Sequence, residues 1–532
     1  MHLNKRTSAL AVASAAIGLF SLPPAVLADP PGCLVAGPPA VLQADAQRTV
    51  VINDPAILQK AGVDFSLSRT LGAIIASAQG ASAATPANEL ILMTSLLKNL
   101  NAASFTNPVS NVAFPVTPRP SEAKLDPKKL LDPANADGMR VVGLFNRFDL
   151  APADWKYCGE HRIVYEKGAP VSQLNRLTLI FEAALTNPDP NLKPEGCVAV
   201  AKFWAGLKSE TDPKKLATAL ETFYYKGIGG GFQPVVHFTH YGLPFGQVRA
   251  NMFVTPPVIW QLREWHTALN QNGSVEFQPA TVKVNAEPTL YGESIAGEDP
   301  KATALRTSFQ NDFIAKFLPA LLSVDEAGVA SGHSISVDDF FFSFGVPIDE
   351  KYDSFQSTAN GAAATHTEDD PLKIAQSGDL LARISTAMSA SDIPSSCRPT
   401  SQQILARAGV QTCGGCHEFS VGQSLSSTAN VQWPASDGFV QIDERGTLSP
   451  LLSERLLPSR IKNLEAFLAA HPSVASLTTA SRLSNFSASI MFPPGQRTLS
   501  TEAVSKILSD AMLLRDDDRH TAGAFMKFRP AD

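Results

Sequence analysis

Between residues 139 and 350 the chain keeps returning to short apolar or alternating runs: MRVVGLFNRFDL, HRIVYEKG, LTLIFEAAL, QPVVHFTHY, QVRANMFV, VEFQPATVKVN and FFFSFGVP. Each is bounded by Gly, Pro, Asn or Asp, and runs of this kind read as strands. Several strands in one stretch demand a sheet. Helical spacing interrupts them at GCVAVAKFWAGLKS, DPKKLATALETFYYKG and PPVIWQLREWHTAL. In the third of these, a helix puts Ile259, Leu262 and Trp265 on an apolar side and Arg263, Glu264 and His266 on a polar one. The irregular order of the two periods excludes a doubly wound sheet and predicts an α+β domain of short strands.

The flanks are helical. SLSRTLGAIIASAQ at 66–79 spaces Leu67, Leu71, Ile74, Ile75 and Ala78 for one helix face, with Ser66 as its cap. A second helix is expected over 87–101, followed by a Pro-rich connector from Asn107 to Pro133. The segment EKYDSFQSTANGAAATHTEDD loses the apolar pattern and reads as a boundary. Helical spacing resumes at 371–390 and 401–408, then in SERLLPSRIKNLEAFLAAH, where Pro458 marks the helix start. The expected organisation is an α+β domain over 29–352, a linker or loop over 353–370, and a mainly helical C-terminal domain over 371–532. No repeat of 20 to 50 residues is visible.

The first residues, MHLNKRTSALAVASAAIGLFSLPPAVLADP, have the layout of a secretory signal. Lys5 and Arg6 are the positive start, residues 9–22 the apolar stretch, and Val26 and Ala28 the small residues of a cleavage site. A signal peptide over 1–28 implies a periplasmic or secreted protein with no membrane span after cleavage. The composition agrees with an ordinary globular chain: 532 residues, 44% hydrophobic, 18% charged, formal net charge −6. That balance argues against nucleic acid as a partner.

Six cysteines divide into two sets. Cys33, Cys158, Cys197 and Cys397 are far apart, and in an oxidising compartment they are candidates for two disulfides of undetermined connectivity. The other two stand in QTCGGCHEFS, where Cys413, Cys416 and His417 spell C-x-x-C-H, the attachment signature of c-type haem. Two thiols add to the two vinyl groups on one porphyrin edge, and the adjacent imidazole reaches the iron as proximal ligand. Gly414 and Gly415 would let the backbone pass close to the macrocycle. A thioredoxin-like site lacks its βαβ setting here, and a zinc site lacks a second pair of ligands. A disulfide between Cys413 and Cys416 is the alternative that the spacing leaves open.

A sixth iron ligand would come from further along. Met491 in IMFPPG is the candidate thioether, and His471 at a helix end is a second. His237 and His240 in VVHFTHYG look like a metal pair, but on a strand a spacing of three puts them on opposite faces. The run GIGGGF lacks the Lys-Ser/Thr of a phosphate loop, and neither H-E-x-x-H nor G-x-S-x-G occurs.

The segment ARAGVQTCGGCHEFS resembles the haem-attachment region of bacterial c-type cytochromes, where a short helix also leads into C-x-x-C-H. The resemblance implies one covalent haem c, thioethers at Cys413 and Cys416, and iron ligation by His417. The segments FNRFDLAP, CGEHRIVYEKG and WPASDGFVQIDE are similar to large exported bacterial proteins that carry a single C-x-x-C-H, a likeness that brings no activity with it. The expected function is electron transfer or redox sensing, with a redox protein or a small-molecule substrate as partner. The alternatives are a haem-dependent oxidase or peroxidase-like enzyme with an open iron position, and a non-haem exported binding protein stapled at C-x-x-C.

Overall fold

A computed structural model describes residues 34–35 and 42–471, except for 61, 109, 169–175, 253–258, 285, 295, 320, 323–334, 337–347, 357–358, 363–370, 413 and 427–430. Its centre is one antiparallel sheet. The strands are β1 (Val51–Ile52), β2 (Met139–Arg147), β3 (Tyr157–Lys167), β4 (Leu177–Thr186), β5 (Gln247–Met252), β6 (Ile259–Leu269), β7 (Val275–Ala280) and β8 (Ala359–Ala362). Neighbours follow the order β7-β6-β5-β4-β3-β2-β1, a meander in which consecutive strands pair. The long strand β6 is shared: Glu264 to Leu269 pair with β7, and Ile259 to Leu262 pair with β8.

Both faces of the sheet are covered. On the first face Leu144, Ile163, Tyr165, Leu179, Phe181, Val248 and Trp265 meet the helices Leu67–Gln79, Pro86–Leu100, Val198–Gly206 and Pro213–Tyr225. Ser66 caps its helix as expected, accepting from the Arg69 N–H, and Asp212 caps Pro213–Tyr225 by accepting from the Lys214 N–H. On the second face Val142, Phe145, Val164 and the partly buried Ile180 share a core with residues from the helices Pro300–Asp312, Leu380–Ser389 and Ser401–Gly409 and from the start of Leu457–Ala470. Pro458 sits in the first turn of that last helix.

The expected fold class is corrected on two counts. The molecule is a mixed α+β fold built on one large sheet with three strands of nine to eleven residues on its central path and an eleven-residue β6, not a set of short strands. Among the described residues, the region after 371 is also not a mainly helical unit of its own. Its buried residues complete the core on the sheet's second face, and much of 420–450 is irregular chain joined by isolated bridges. The stretch 353–370 contributes β8 and the short strand Ser354–Gln356, which pairs with Val282–Val284. The segment IWQLREWHTAL, expected as a helix, is strand β6, because pairing on both sides overrides its helical spacing. The expected strand around VVHFTHY is instead the 3-10 turn Phe238–Tyr241. Among the described residues no helix is long and apolar enough to cross a membrane.

Candidate functional site

Period-two alternation puts Arg147, Glu160, Arg162, Glu182, Arg249, Glu264 and His266 on the second face of the sheet, in the rows Arg147/Glu160, Arg162/Glu182 and Arg249/Glu264. They form a ladder. Arg162 reaches Glu160 at 2.6 Å and Glu182 at 3.1 Å; Arg249 reaches Glu182 at 3.1 Å and Glu264 at 3.0 Å; His266 ends it 3.5 Å from Glu264. At the other end Arg147 holds Asp149 at 2.8 Å, and Arg460 of the last helix lies 4.0 Å from the same carboxylate. Charges taken out of water cost several kcal/mol each unless paired, and every carboxylate here has a cation. Burial alone would raise the Asp149, Glu160 and Glu264 carboxyls; the neighbouring arginines outweigh it and hold all three below the ordinary range.

The motif turn is built against this ladder. The helix Ser401–Gly409 opens with a capping box between Thr400 and Gln403. At its other end Thr412 ties the turn: its hydroxyl donates to the Gly409 carbonyl at 2.7 Å and accepts the Gly415 N–H at 2.9 Å, and its carbonyl accepts the Cys416 N–H at 2.9 Å. Gly415 is required by this turn, since a Cβ there would lie 1.9 Å from the Gly409 oxygen. Trp433 Nε1–H donates to the Cys416 carbonyl at 3.2 Å.

Cys416 is a buried free thiol, so the motif is not closed on itself as a disulfide. Burial pushes its pKa up to about 12, against the pull of Arg460 and Arg147. His417 is half-buried. Its Nδ1 lies 2.9 Å from the Phe439 carbonyl oxygen; an oxygen accepts only, so Nδ1 carries the proton and Nε2 the lone pair. The Trp260 ring, from β6, stacks on His417 at 5.7 Å and on Phe439 at 5.1 Å. Burial lowers the His417 pKa to about 4; the Phe439 carbonyl opposes this, and Arg249 and Arg162 add repulsion. The imidazole is therefore neutral at pH 7, the form that ligates metal ions. A carbonyl holding Nδ1–H is also the partner that orients metal-bound histidines elsewhere. A free thiol beside a neutral imidazole of this tautomer fits the donor set of haem c.

The other predicted residues fall elsewhere. Cys413, Met491 and Cys33 lie outside the described residues, as does the 1–28 segment. Cys158 and Cys197 form a disulfide; Cys397 is disulfide-bonded too, with a partner outside the described residues. His471 pairs with Glu195 at 3.3 Å and stacks on Phe467 at 4.7 Å. His237 and His240 do not lie on opposite strand faces: the turn Phe238–Tyr241 brings their rings to 5.4 Å. His237 caps that turn, and His240 Nδ1 contacts the Val235 carbonyl at 3.1 Å. Among the described residues no group of three or more His, Cys, Asp or Glu could hold a metal ion.

Sequence reasoning missed Trp260, Trp433, Phe439 and the ladder. For Trp260, Glu264 and His266 the signal was present, since reading 259–269 with period two rather than 3.6 places all three on one face. No protein-family model, curated protein or solved structure matches the chain.

Proposed function

We propose that this chain is an exported monohaem c-type protein acting in electron transfer or redox sensing. The observation that carries the reading is the pair at the motif: Cys416 as a free thiol, and His417 as a neutral imidazole whose Nδ1–H is held by Phe439. In this reading Cys413 and Cys416 hold the haem and His417 supplies Nε2 to its iron. Haem c, when bound, supplies a one-electron iron couple. The chain's own part is to fix the imidazole by the Trp260 stack and the Phe439 carbonyl, and to keep charge paired on the sheet face through Arg162, Glu182, Arg249 and Glu264. The Cys158–Cys197 disulfide and the apolar start of the chain support an oxidising compartment outside the cytoplasm.

The test is maturation in a host with haem c assembly machinery, followed by peroxidase staining of a denaturing gel. Staining that survives denaturation and disappears in the double variant Cys413→Ala/Cys416→Ala is the expected result. Unstained wild-type protein from a competent host overturns the proposal.

A further inference from the structure

A cavity of about 60 Å³ lies at the edge of the first layer, bounded by Asn99, Phe105, Val116, Arg263 and Trp265. Arg263 and Trp265 are two apart on β6 and point the same way. Both are buried, at 5% and 1% exposure, and each keeps a donor with no partner: Arg263 Nε–H and Trp265 Nε1–H. The other two guanidinium nitrogens are both bonded. Nη1 donates to the Asn99 and Leu100 carbonyls at 3.2 and 3.3 Å, capping the helix Pro86–Leu100, and Nη2 donates to the Thr117 carbonyl.

Among the residues that line the cavity the cation is Arg263, and among the described residues no carboxylate lies within ion-pair distance of it. Arg119, 1% exposed, lies 3.3 Å from Glu122, whose charge also acts on Arg263. Glu264 also borders the cavity, but its charge is engaged by Arg249 and His266 in the ladder. Burial brings the Arg263 guanidinium down to about 10; Arg119 pushes the same way and Glu122 resists. Neither an indole nor a guanidinium can accept a hydrogen bond. A water placed between the two donors would aim its own hydrogens back toward the Arg263 guanidinium, whereas an anion accepts both donors and offsets that charge.

We propose that this cavity is a binding site for a small monovalent anion, a halide or an oxyanion of a few atoms, held by Arg263 Nε–H and Trp265 Nε1–H. A space of about 60 Å³ suits a ligand of a few atoms.

The test uses the full-length protein, unfolded thermally in chloride or gluconate at equal ionic strength. Chloride should raise the melting temperature saturably, by on the order of 2 °C, because it binds only the folded state. Trp265→Phe keeps the ring and removes one donor to a charged ligand, so it should shift the chloride midpoint about tenfold or more. Arg263→Met should abolish the response. A bromide-soaked crystal, which needs no variant, should show anomalous density within hydrogen-bond reach of Arg263 Nε. Equal melting temperatures in the two salts, an unshifted midpoint in Trp265→Phe, or no bromide density in the cavity would overturn the proposal.

Discussion

The imidazole of His417 donates from Nδ1 to the carbonyl oxygen of Phe439 at 2.9 Å, and that bond decides which ring nitrogen is left with a lone pair. The acceptor belongs to the backbone, so no side-chain replacement at 439 removes it. The contacts that can be varied are the aromatic ones around it.

Two of the five tryptophans touch the motif: Trp260 stacks on His417, and Trp433 donates to the Cys416 carbonyl. Haem takes up indole excitation over distances much longer than these. The holoprotein should therefore fluoresce more weakly than the Cys413→Ala/Cys416→Ala variant at equal concentration. Equal emission from the two proteins would count directly against a haem at this turn.

Glu182 sits between Arg162 and Arg249, 3.1 Å from each. Glu182→Gln leaves two arginines facing each other on a buried sheet face, and breaking such a pairing costs about 3–5 kcal/mol. Urea unfolding should show a loss of that order. A loss below about 1 kcal/mol would place the ladder in the regime of solvent-screened pairs.

Burial lowers the pKa of His161 to about 3 and that of His240 to about 4, and His417 also falls to about 4. The unfolded chain takes up these protons near pH 6.5, and the folded chain does so only near pH 3 to 4. The unfolded state thus binds more protons as pH falls below about 6.5, and stability falls with it. Each of the two fully buried histidines should contribute a slope of up to about 1.4 kcal/mol per pH unit down to its folded pKa. Unfolding free energies between pH 7 and 4.5 measure this, and His161→Phe should flatten the slope.

The Cys158–Cys197 disulfide closes a loop with a sequence separation of 39. The chain-entropy relation gives about 4 kcal/mol for such a loop, as an upper value. Cys158→Ala/Cys197→Ala should lower the unfolding free energy by about 2–4 kcal/mol in the absence of reductant. Reductant should bring the wild type close to the variant.

Gly415→Ala drives a methyl group into the Gly409 carbonyl and the Thr412 hydroxyl. Neither neighbour is the end of a flexible side chain, so the turn itself must shift, at a cost on the order of 2–3 kcal/mol. Haem staining of the variant should drop along with its melting temperature.

The helices that cover the first face were readable because their spacing is local, and for Leu67–Gln79 the cap Ser66 was legible too, whereas Asp212, which caps Pro213–Tyr225, did not stand out. Most of the strands were readable as well, but β6 was expected as a helix, and the membership of all of them in one sheet was not legible. Arg162, Glu182, Arg249 and Glu264 look like solvent-facing residues, yet they pair with one another under a second layer of chain. A buried charge and a surface charge are the same letter in a sequence. The C-x-x-C-H motif was found from its spacing, whereas Phe439, Trp260 and Trp433 reach it only through tertiary contacts.

The buried position of Cys416 sets an order of events. The core that covers it draws on Val50 and Val51 near one end of the described chain and on Leu457 and Ile461 near the other, so it closes only when almost the whole polypeptide is in place. Once it has closed, the sulfur is sealed from reagents and held as a thiol rather than the nucleophilic thiolate. Chemistry at this residue therefore belongs to the nascent or still-open chain, before the last helix docks, and a fully folded apoprotein is a dead end for it.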